Sequence, residues 1–454
     1  MVRRLAIVGV LVLAACSTAS ETPPPATGSQ AGSQAESELG IDLGEDVGAP
    51  PETPRAAPRR VLITHATVPT LDVGRGVAAH LAAGEIRSWR ELGRPSARLR
   101  LVRSVAVVER DPHAVGWVPL RDVGPTVNVV SVAGRDPVAD DARATTLMVV
   151  GDVMLVRGVP DPKAALAPFA ARLRGADLTV GNLESTLSLD GEPTQGDDSF
   201  GASPALLRPL RAAGFDALSL ANNHAGDFGQ TALLDTLAAM RRSPIGTFGA
   251  GRDLADASRP AYVERNGVRF AFVGFNAIGE TPRAEQGVPG ALSIRMPPRT
   301  GPFVEADLGH VADVVREAGR RADVVVVLPH WGTQYTHTPE PIQRQVSRRL
   351  VRAGADLVVG GHPHWVQGID DVAGVPVVHS LGNFVFDMDF MEQTMEGIVL
   401  ETTWWGAELK AIRLVPYRMD PSDFAPRPVV GAVAAAILRD VWSTSTGPFA
   451  PLVD

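Results

Sequence analysis

Short apolar segments alternate with helix-like segments between residues 146 and 418, and this alternation limits the chain to a layered α/β fold. The apolar segments that predict strands are 147–150, 177–180, 216–220, 269–275, 323–328, 357–359 and 375–379. Helical periodicity is found between them at 164–173, 204–213, 232–242, 305–321 and 339–353. Two later segments, 398–403 and 410–415, predict a closing antiparallel pair of strands.

Five of the predicted strands are followed by polar residues in place of simple turns. The five clusters are Gly151-Asp152, Gly181-Asn182-Leu183-Glu184, Asn222-Asn223-His224, Pro329-His330 and Gly360-Gly361-His362-Pro363-His364. Any one of them is compatible with ordinary loop chemistry, and Asp152 alone is compatible with a helix N-cap. Because sites in open α/β sheets form at the carboxyl ends of strands, the five together predict one shared site.

The side chains of these clusters offer oxygen and imidazole donors without a thiolate. Such a set suits Mn²⁺, Fe, Zn²⁺ or Mg²⁺. One or two divalent ions held in this way can bind a phosphate-like group and lower the pKa of bound water toward neutrality.

Composition excludes several other functions. A formal net charge of −8 in 454 residues argues against a general nucleic-acid binder. Aromatic residues make up only 5% of the chain, which argues against a stacking surface for single strands. Cys16 is the single cysteine, so a cysteine metal site and a disulfide within the mature chain are both excluded.

The first 58 residues have the character of a targeting segment and a tether. Arg3 and Arg4 precede the apolar run 5–13, and Leu13-Ala14-Ala15-Cys16 resembles the lipobox of bacterial lipoproteins. This resemblance implies a signal segment at 1–16, a lipidated Cys16 and a position on the outer face of the cytoplasmic membrane in the cell envelope. Residues 17–58 are rich in small, acidic and proline residues and predict a disordered tether.

Residues 59–140 predict a small α/β lobe in front of the main body. The segments 84–93, 114–120 and 127–132 resemble parts of phosphate-type periplasmic solute-binding proteins. The lobe is too short for a two-lobed ligand clamp, so a structural accessory role is the favoured interpretation and a solute sensor is the alternative.

The order of the polar clusters resembles the calcineurin-like metallophosphoesterase superfamily, and more closely its CapA branch of capsule and poly-γ-glutamate biosynthesis proteins. The matching motifs run from Gly151-Asp152-Val153-Met154-Leu155 to Ser380-Leu381-Gly382-Asn383-Phe384 and cover roughly 260 residues. The resemblance implies a layered α/β/β/α metallophosphoesterase-like sandwich over 146–418, followed by a C-terminal extension at 419–454. It also implies a role with an anionic polymer, poly-γ-glutamate or a capsular polysaccharide, and association with a membrane synthase.

Roles carried over by this resemblance fall into three groups. The implied metal ligands are Asp152, Glu184, Asn223, His330, His362 and His364. The implied catalytic residues are His224, Asp227 and Arg157, the last as a holder of an anionic substrate. The implied substrate-binding residues are Asn182, Trp331, Tyr335, Asn383 and Asp387.

Three positions depart from the related patterns. Met154 stands where phosphoesterases have a histidine, Asn182 stands where they have a bridging aspartate, and Gln334 stands where the CapA branch usually has glutamate. A neutral amide bridges two cations poorly. One strong metal, a differently built pair and a non-catalytic polymer-binding site all stay open at this point.

Overall fold

The described chain begins with a small region of strands. The structure is a computed structural model that describes residues 59–451, so the predicted signal segment, Cys16 and the tether lie outside the described residues. The first elements are β1 (Arg60–His65), β2 (Asp72–Val73), α1 (Arg75–Ala83), β3 (Arg100–Val102), α2 (Val105–Val108), β4 (Ala114–Pro119), β5 (Val127–Val129) and β6 (Ser131–Val132). Four of these strands form one sheet in the order β3-β4-β1-β5, and β2 pairs with β6.

An eight-stranded mixed sheet follows. Its strands are β7 (Ala144–Val153), β8 (Leu178–Leu183), β9 (Ala217–Ser219), β10 (Gly246–Phe248), β19 (Asn383–Val385), β20 (Glu396–Trp405), β21 (Glu408–Met419) and β22 (Pro426–Pro428). The order is β10-β9-β8-β7-β20-β21-β22, with β19 also paired to β7. Strands β7 to β10 are parallel neighbours, and β20 and β21 form the predicted closing antiparallel pair.

A second, six-stranded sheet is built from the middle of the chain. Its strands are β12 (Ala261–Arg265), β13 (Val268–Asn276), β15 (Val324–His330), β16 (Leu357–Val359), β17 (Ile369–Val372) and β18 (Val375–Val378), in the order β12-β13-β15-β16-β18-β17. A short ribbon pairs β11 (Ala250–Gly251) with β14 (Gly290–Ala291). The chain is therefore a mixed α/β fold with several sheets, as the sequence predicts.

Alternation along the strands explains how the two large sheets pack. Leu147 and Val149 of β7 join Phe270 and Phe272 of β13 in one apolar cluster, and that cluster therefore lies between the sheets. Met148 and Val150 point the other way, into a cluster shared with α3 and α4. Residues 271, 273 and 275 of β13 join a third cluster with α7 and α8. These helices are α3 (Pro162–Gly175), α4 (Leu207–Ala213), α7 (Glu305–Gly319) and α8 (Pro341–Ala353).

The remaining helices are α5 (Gly229–Arg242), α6 (Leu254–Ala257) and α9 (Gly431–Ser443). Ile437 and Val441 of α9 are buried in the apolar cluster between the sheets, so this C-terminal helix packs on the body. Within residues 59–451, no helix combines the length and the apolar character needed to cross a bilayer.

The N-terminal strands contact the larger sheet through β20 and β21. The Trp405 indole N–H donates to the Val138 carbonyl at 3.1 Å, and Lys410 Nζ donates to the Arg121 carbonyl at 2.8 Å. Trp405 also belongs to the apolar core of the N-terminal region. The domain boundaries at 140 and 146 remain a prediction from sequence.

Several strands continue further than the sequence indicates, and in two of them the extension includes a predicted metal ligand. Strand β7 runs through Asp152 because β19 pairs alongside it, with Asn383 opposite Asp152. Strand β15 runs through His330, which lies opposite Asn276 of β13. Both side chains are therefore fixed by sheet hydrogen bonds and do not project from loops.

Candidate metal centre

Three predicted ligands meet at the carboxyl ends of β7, β8 and β15. Asp152, Glu184 and His330 each offer a ligand atom, and these atoms lie within 4.8 Å of one another. All three side chains are buried. A buried Asp–Glu–His group of this kind could hold a metal ion.

Asp152 is held from two sides. Its Oδ1 accepts from Asn182 Nδ2 at 2.8 Å, and its Oδ2 accepts from the His362 backbone N–H at 2.9 Å. Gly361 makes this approach possible, since a Cβ at that position would lie 2.5 Å from Asp152 Oδ1. Burial raises the pKa of the Asp152 carboxyl, and the two hydrogen bonds oppose that rise only in part.

Glu184 has an oxygen with no partner. Its Oε2 accepts from Asn182 Nδ2 at 3.1 Å, while its Oε1 is buried and makes no hydrogen bond with any group of residues 59–451. Burial raises the pKa of the Glu184 carboxyl well above its usual range, and the charge of Asp152 adds to the rise. Such an oxygen is expensive to bury alone, so it is a natural position for a cation.

His330 lies beside that free oxygen. Its Nε2 is 3.7 Å from Glu184 Oε1 and 2.8 Å from Asn223 Oδ1. Burial, together with the charges of His224 and His364, holds the pKa of His330 well below its usual value. The imidazole is therefore neutral at pH 7, which is the form that binds metals.

The His362–His364 turn brings one of its two rings to the centre. Both nitrogens of the buried His362 ring lack a hydrogen-bond partner, and its centroid lies 4.9 Å from that of His330. The second ring, His364, is oriented by Asn383: its Nδ1 lies 2.8 Å from Asn383 Oδ1, its Nε2 lies 3.4 Å from Gln334 Nε2, and burial lowers its pKa to about 4. Both residues have positive φ, an uncommon conformation that the turn imposes. That His364 is a ligand stays a prediction.

A histidine–aspartate pair borders the group. His224 Nδ1 lies 2.8 Å from Asp227 Oδ2, which leaves His224 Nε2 facing Glu184 Oε1 at 3.9 Å. Two residues that the sequence did not reveal support the pair. The Phe200 ring stacks on His224 with centroids 3.9 Å apart, and the Phe200 backbone N–H donates to Asp227 Oδ2 at 2.7 Å. Gln195 Nε2 also donates to Asp227, through Oδ1 of the carboxylate. The only signal for Phe200 was an apolar residue within a polar segment.

Arg157 is already paired within the protein. It forms a two-pronged ion pair with Asp387 and lies 3.3 Å from Asp198 Oδ1. Its guanidinium lies over Phe200, 4.3 Å from the ring centroid. Substrate holding by Arg157 stays a prediction, and any anion would compete with these carboxylates.

The predicted substrate-binding residues have different surroundings. Tyr335 stacks on His364 with centroids 5.9 Å apart, and it also lies next to Trp365 and the exposed Phe390. Asn383 is buried and orients His364 through its side-chain oxygen. These placements are compatible with a site that opens near His364.

Trp331 and Asn182 are both engaged by other protein groups. Trp331 is fully buried and donates to the His379 carbonyl at 3.0 Å. Asn182 directs both ends of its amide to protein groups and has 8% of its surface exposed. A substrate contact by either residue stays a prediction. Met154, at the position of the missing histidine, is also fully buried in the core.

Comparisons with known proteins identify the family. The family model described as "Bacterial capsule synthesis protein PGA_cap" matches residues 146–388, which is more than half of the chain. A Bacillus subtilis protein named PGA biosynthesis protein CapA is 34% identical over 248 residues, 52% of this chain and 62% of that protein. The chain therefore spans less than two thirds of that relative.

Two further relatives agree with this match. A Bacillus anthracis protein named capsule biosynthesis protein CapA is 30% identical over 301 residues, 63% of this chain and 70% of that protein. A Mycobacterium tuberculosis protein described as a probable polyglutamine synthesis accessory protein is 32% identical over 220 residues, 47% of this chain and 56% of that protein. The resemblance derived from the strand-end motifs is confirmed, and this chain belongs to the CapA family of bacterial capsule synthesis proteins.

Proposed function

We propose that this chain acts in the synthesis or export of an anionic envelope polymer, poly-γ-glutamate or a capsular polysaccharide, through a divalent metal centre with hydrolase-type chemistry. The observation that carries the proposal is Glu184 Oε1, a buried oxygen without a partner that lies 3.7 Å from His330 Nε2. The names of the CapA relatives support the polymer, and the bond would be a phosphate ester, a phosphodiester or an amide.

Five residues at the carboxyl ends of four strands and in one turn would hold the ion: Asp152, Glu184, Asn223, His330 and His362. Their donor set fits a divalent ion, because oxygen and neutral imidazole are present and two donor groups are otherwise unpartnered. When bound, the ion would supply Lewis acidity and a more acidic bound water. Which of Mn²⁺, Zn²⁺, Fe or Mg²⁺ occupies the centre is part of the test.

The chain's own groups would position the substrate and move the proton. Asp227 holds His224 by its Nδ1, so His224 Nε2 is directed at the centre and would give a proton to the leaving group. Tyr335 and Asp387 would border the opening for the substrate. The two large sheets with outer helices support a metallophosphoesterase-like sandwich, and the small N-terminal sheet would be the solute-binding-protein-like lobe.

A non-catalytic role is the second candidate. Met154 is buried where a further ligand would be needed, and Arg157 is already paired with Asp387. A centre of this kind could bind polymer, or a membrane synthase, without turning substrate over. The description of the Mycobacterium tuberculosis relative as an accessory protein supports this alternative.

One experiment separates the two candidates. The purified full chain is analysed for bound metal and assayed for hydrolysis of phosphodiesters and poly-γ-glutamate, and both measurements are repeated with Asp152→Ala and His362→Ala. We expect loss of metal and of turnover in both variants. Turnover that survives both substitutions refutes the catalytic centre, whereas metal binding without turnover in the unmodified chain favours the accessory role.

The envelope location is proposed from the first 16 residues. A lipid on Cys16 would anchor the chain to the outer face of the cytoplasmic membrane, and residues 17–58 would connect this anchor to the folded part of the chain. We expect Cys16→Ser to move the protein from the membrane fraction to the soluble fraction. Unchanged membrane association would contradict the lipobox assignment.

A further inference from the structure

We infer that this centre takes a single divalent ion, because the Asn182 amide nitrogen donates hydrogen bonds to both buried carboxylates and directs N–H groups at the oxygens that would hold a second ion. The inference rests on the metal centre proposed above and concerns the number of ions that this centre binds. It assigns Asn182 the role of a positioning residue that limits the number of ions.

The orientation of the neighbouring Asn222 amide is fixed by the backbone. Asn222 Oδ1 accepts from the His224 N–H at 3.0 Å, and Asn222 Nδ2 donates to the Leu183 carbonyl at 2.8 Å. A backbone N–H can only donate and a backbone carbonyl can only accept. The oxygen and nitrogen of this amide therefore cannot be exchanged.

Asn222 in turn fixes the orientation of Asn182. Asn222 Nδ2 donates to Asn182 Oδ1 at 2.8 Å, so the Asn182 oxygen points away from the carboxylates. Its Nδ2 must then face them, at 2.8 Å from Asp152 Oδ1 and 3.1 Å from Glu184 Oε2. The two hydrogens of that nitrogen are directed at the two carboxylates, and His330 Nδ1 is a third, more distant neighbour at 3.3 Å.

An amide nitrogen in this place excludes a cation. Nδ2 of a side-chain amide has two donor hydrogens with partial positive charge and no lone pair available to a metal. A second ion between Asp152 Oδ1 and Glu184 Oε2 would have to displace those hydrogens and face a repelling dipole.

The donors that remain gather on one side of Glu184. Its free Oε1 is 3.7 Å from His330 Nε2, and both nitrogens of the neighbouring His362 ring are unpartnered. Both nitrogens of the His364 ring already have protein neighbours, Asn383 Oδ1 at 2.8 Å from Nδ1 and Gln334 Nε2 at 3.4 Å from Nε2. The geometry thus leaves donors for one ion.

The test counts ions on the purified full chain. Metal-free protein is equilibrated with Mn²⁺, the bound ion is measured by elemental analysis, and electron paramagnetic resonance distinguishes an isolated ion from a spin-coupled pair. We expect one ion per chain with the spectrum of an isolated ion. In Asn182→Asp, which replaces the N–H groups by a third carboxylate, we expect two ions and a spin-coupled spectrum.

Gln345→Glu is the matched control, because it makes the same amide-to-carboxylate change at an exposed position of α8. It should bind one ion. Two coupled ions in the unmodified chain overturn the inference, even if Asn182→Asp does not fold. A single ion in a folded Asn182→Asp variant also overturns it. No bound ion in the unmodified chain contradicts the proposed metal function itself, a result distinct from the other two.

Discussion

Two buried polar clusters of this protein differ in whether their carboxylates are satisfied. In the Asp370 cluster (Asp370, Arg344, His379 and Thr446), one Asp370 oxygen is bound by Arg344 and by Thr446 Oγ1 at 2.7 Å, and the other lies 2.8 Å from His379 Nε2. In the metal centre, Glu184 Oε1 has no partner, and the ion pairs of Asp152 and Glu184 within residues 59–451 are with histidines alone.

The pKa shifts of the two clusters follow from this difference. Burial alone would raise the pKa of Asp370, but His379, Thr446 and Arg344 lower it overall. Burial raises the pKa of Glu184, and the nearby Asp152 raises it further. A buried carboxylate that is paired with a cation of the protein itself has a structural role, whereas a buried carboxylate without such a partner is a candidate ligand-binding group.

The largest expected effect is on stability, from breaking the satisfied cluster. Asp370→Ala leaves the Arg344 charge and the His379 ring without their partner, and we expect a loss of roughly 3 kcal/mol in the free energy of unfolding. Chemical denaturation measures this change. Asp313→Ala is the control, since it removes an exposed ion pair with Arg316 and should change stability by less than about 0.5 kcal/mol. Equal losses in the two variants would show that the Asp370 cluster is not structural.

Glu184→Gln should weaken metal binding without lowering stability, in contrast to the loss of stability expected for Asp370→Ala. The variant keeps the shape of the side chain and removes a carboxyl group that is costly to ionise in the interior, so the metal-free protein should unfold at the same or a higher denaturant concentration. We expect Mn²⁺ affinity to fall by about 100-fold or more, because a charged ligand is lost. Calorimetric titration measures the affinity. A marked loss of stability with unchanged affinity would reverse the roles of the two clusters.

The sequence predicted the α/β class and the residues of the centre because strand-end chemistry is local. Asp152, Glu184 and His330 were all identified as ligands, and they do converge. The sequence pattern did not predict that β7 continues through Asp152 and β15 through His330. Those extensions depend on pairing with β19 and β13, which are distant in the chain. The supporting contacts of Phe200 and Gln195 depend on loop packing, for which no periodicity exists.

Tertiary context also determines the surroundings of two residues, which motif position alone does not reveal. Trp331 follows a ligand directly, but alternation along the chain turns its side chain into the helix-covered core. Asn182 occupies a ligand position, but only its hydrogen bonds reveal that its oxygen faces Asn222. Motif spacing identifies which residues are near a site, and packing decides which atoms face it.

Lowering the pH should affect the two clusters differently. Because the pKa of Glu184 is raised, an incoming cation must displace a proton from this carboxyl group. Metal affinity therefore reaches its full value above that pKa and decreases as the pH falls through it. We expect a decrease of up to about tenfold in Mn²⁺ affinity per pH unit between pH 7 and pH 5. Asp370 has a lowered pKa, so the stability it contributes is present above its unfolded value and lost only at more acidic pH.

Titrations at several pH values in Glu184→Gln provide the check on this interpretation. If the proton resides on Glu184, the pH dependence of the remaining affinity should become shallower in the variant. The histidines have lowered pKa values and should contribute little in this range. An unchanged slope would assign the proton to another ligand.

The smallest expected effect on metal affinity comes from adding a methyl group at Gly361, whose backbone lies close to the Asp152 carboxylate. Gly361→Ala places a Cβ 2.5 Å from Asp152 Oδ1, and Asp152 is too firmly held by Asn182 and His362 to move freely. We expect about a tenfold loss of Mn²⁺ affinity, the size typical of disturbing the groups that orient a ligand. Gly319→Ala on α7 is the control, because its Cβ would meet only Val325 at 3.8 Å and should leave the affinity unchanged. If both variants bind Mn²⁺ like the unmodified chain, the position of Asp152 is not critical, and the ion depends on Glu184 and the histidines alone.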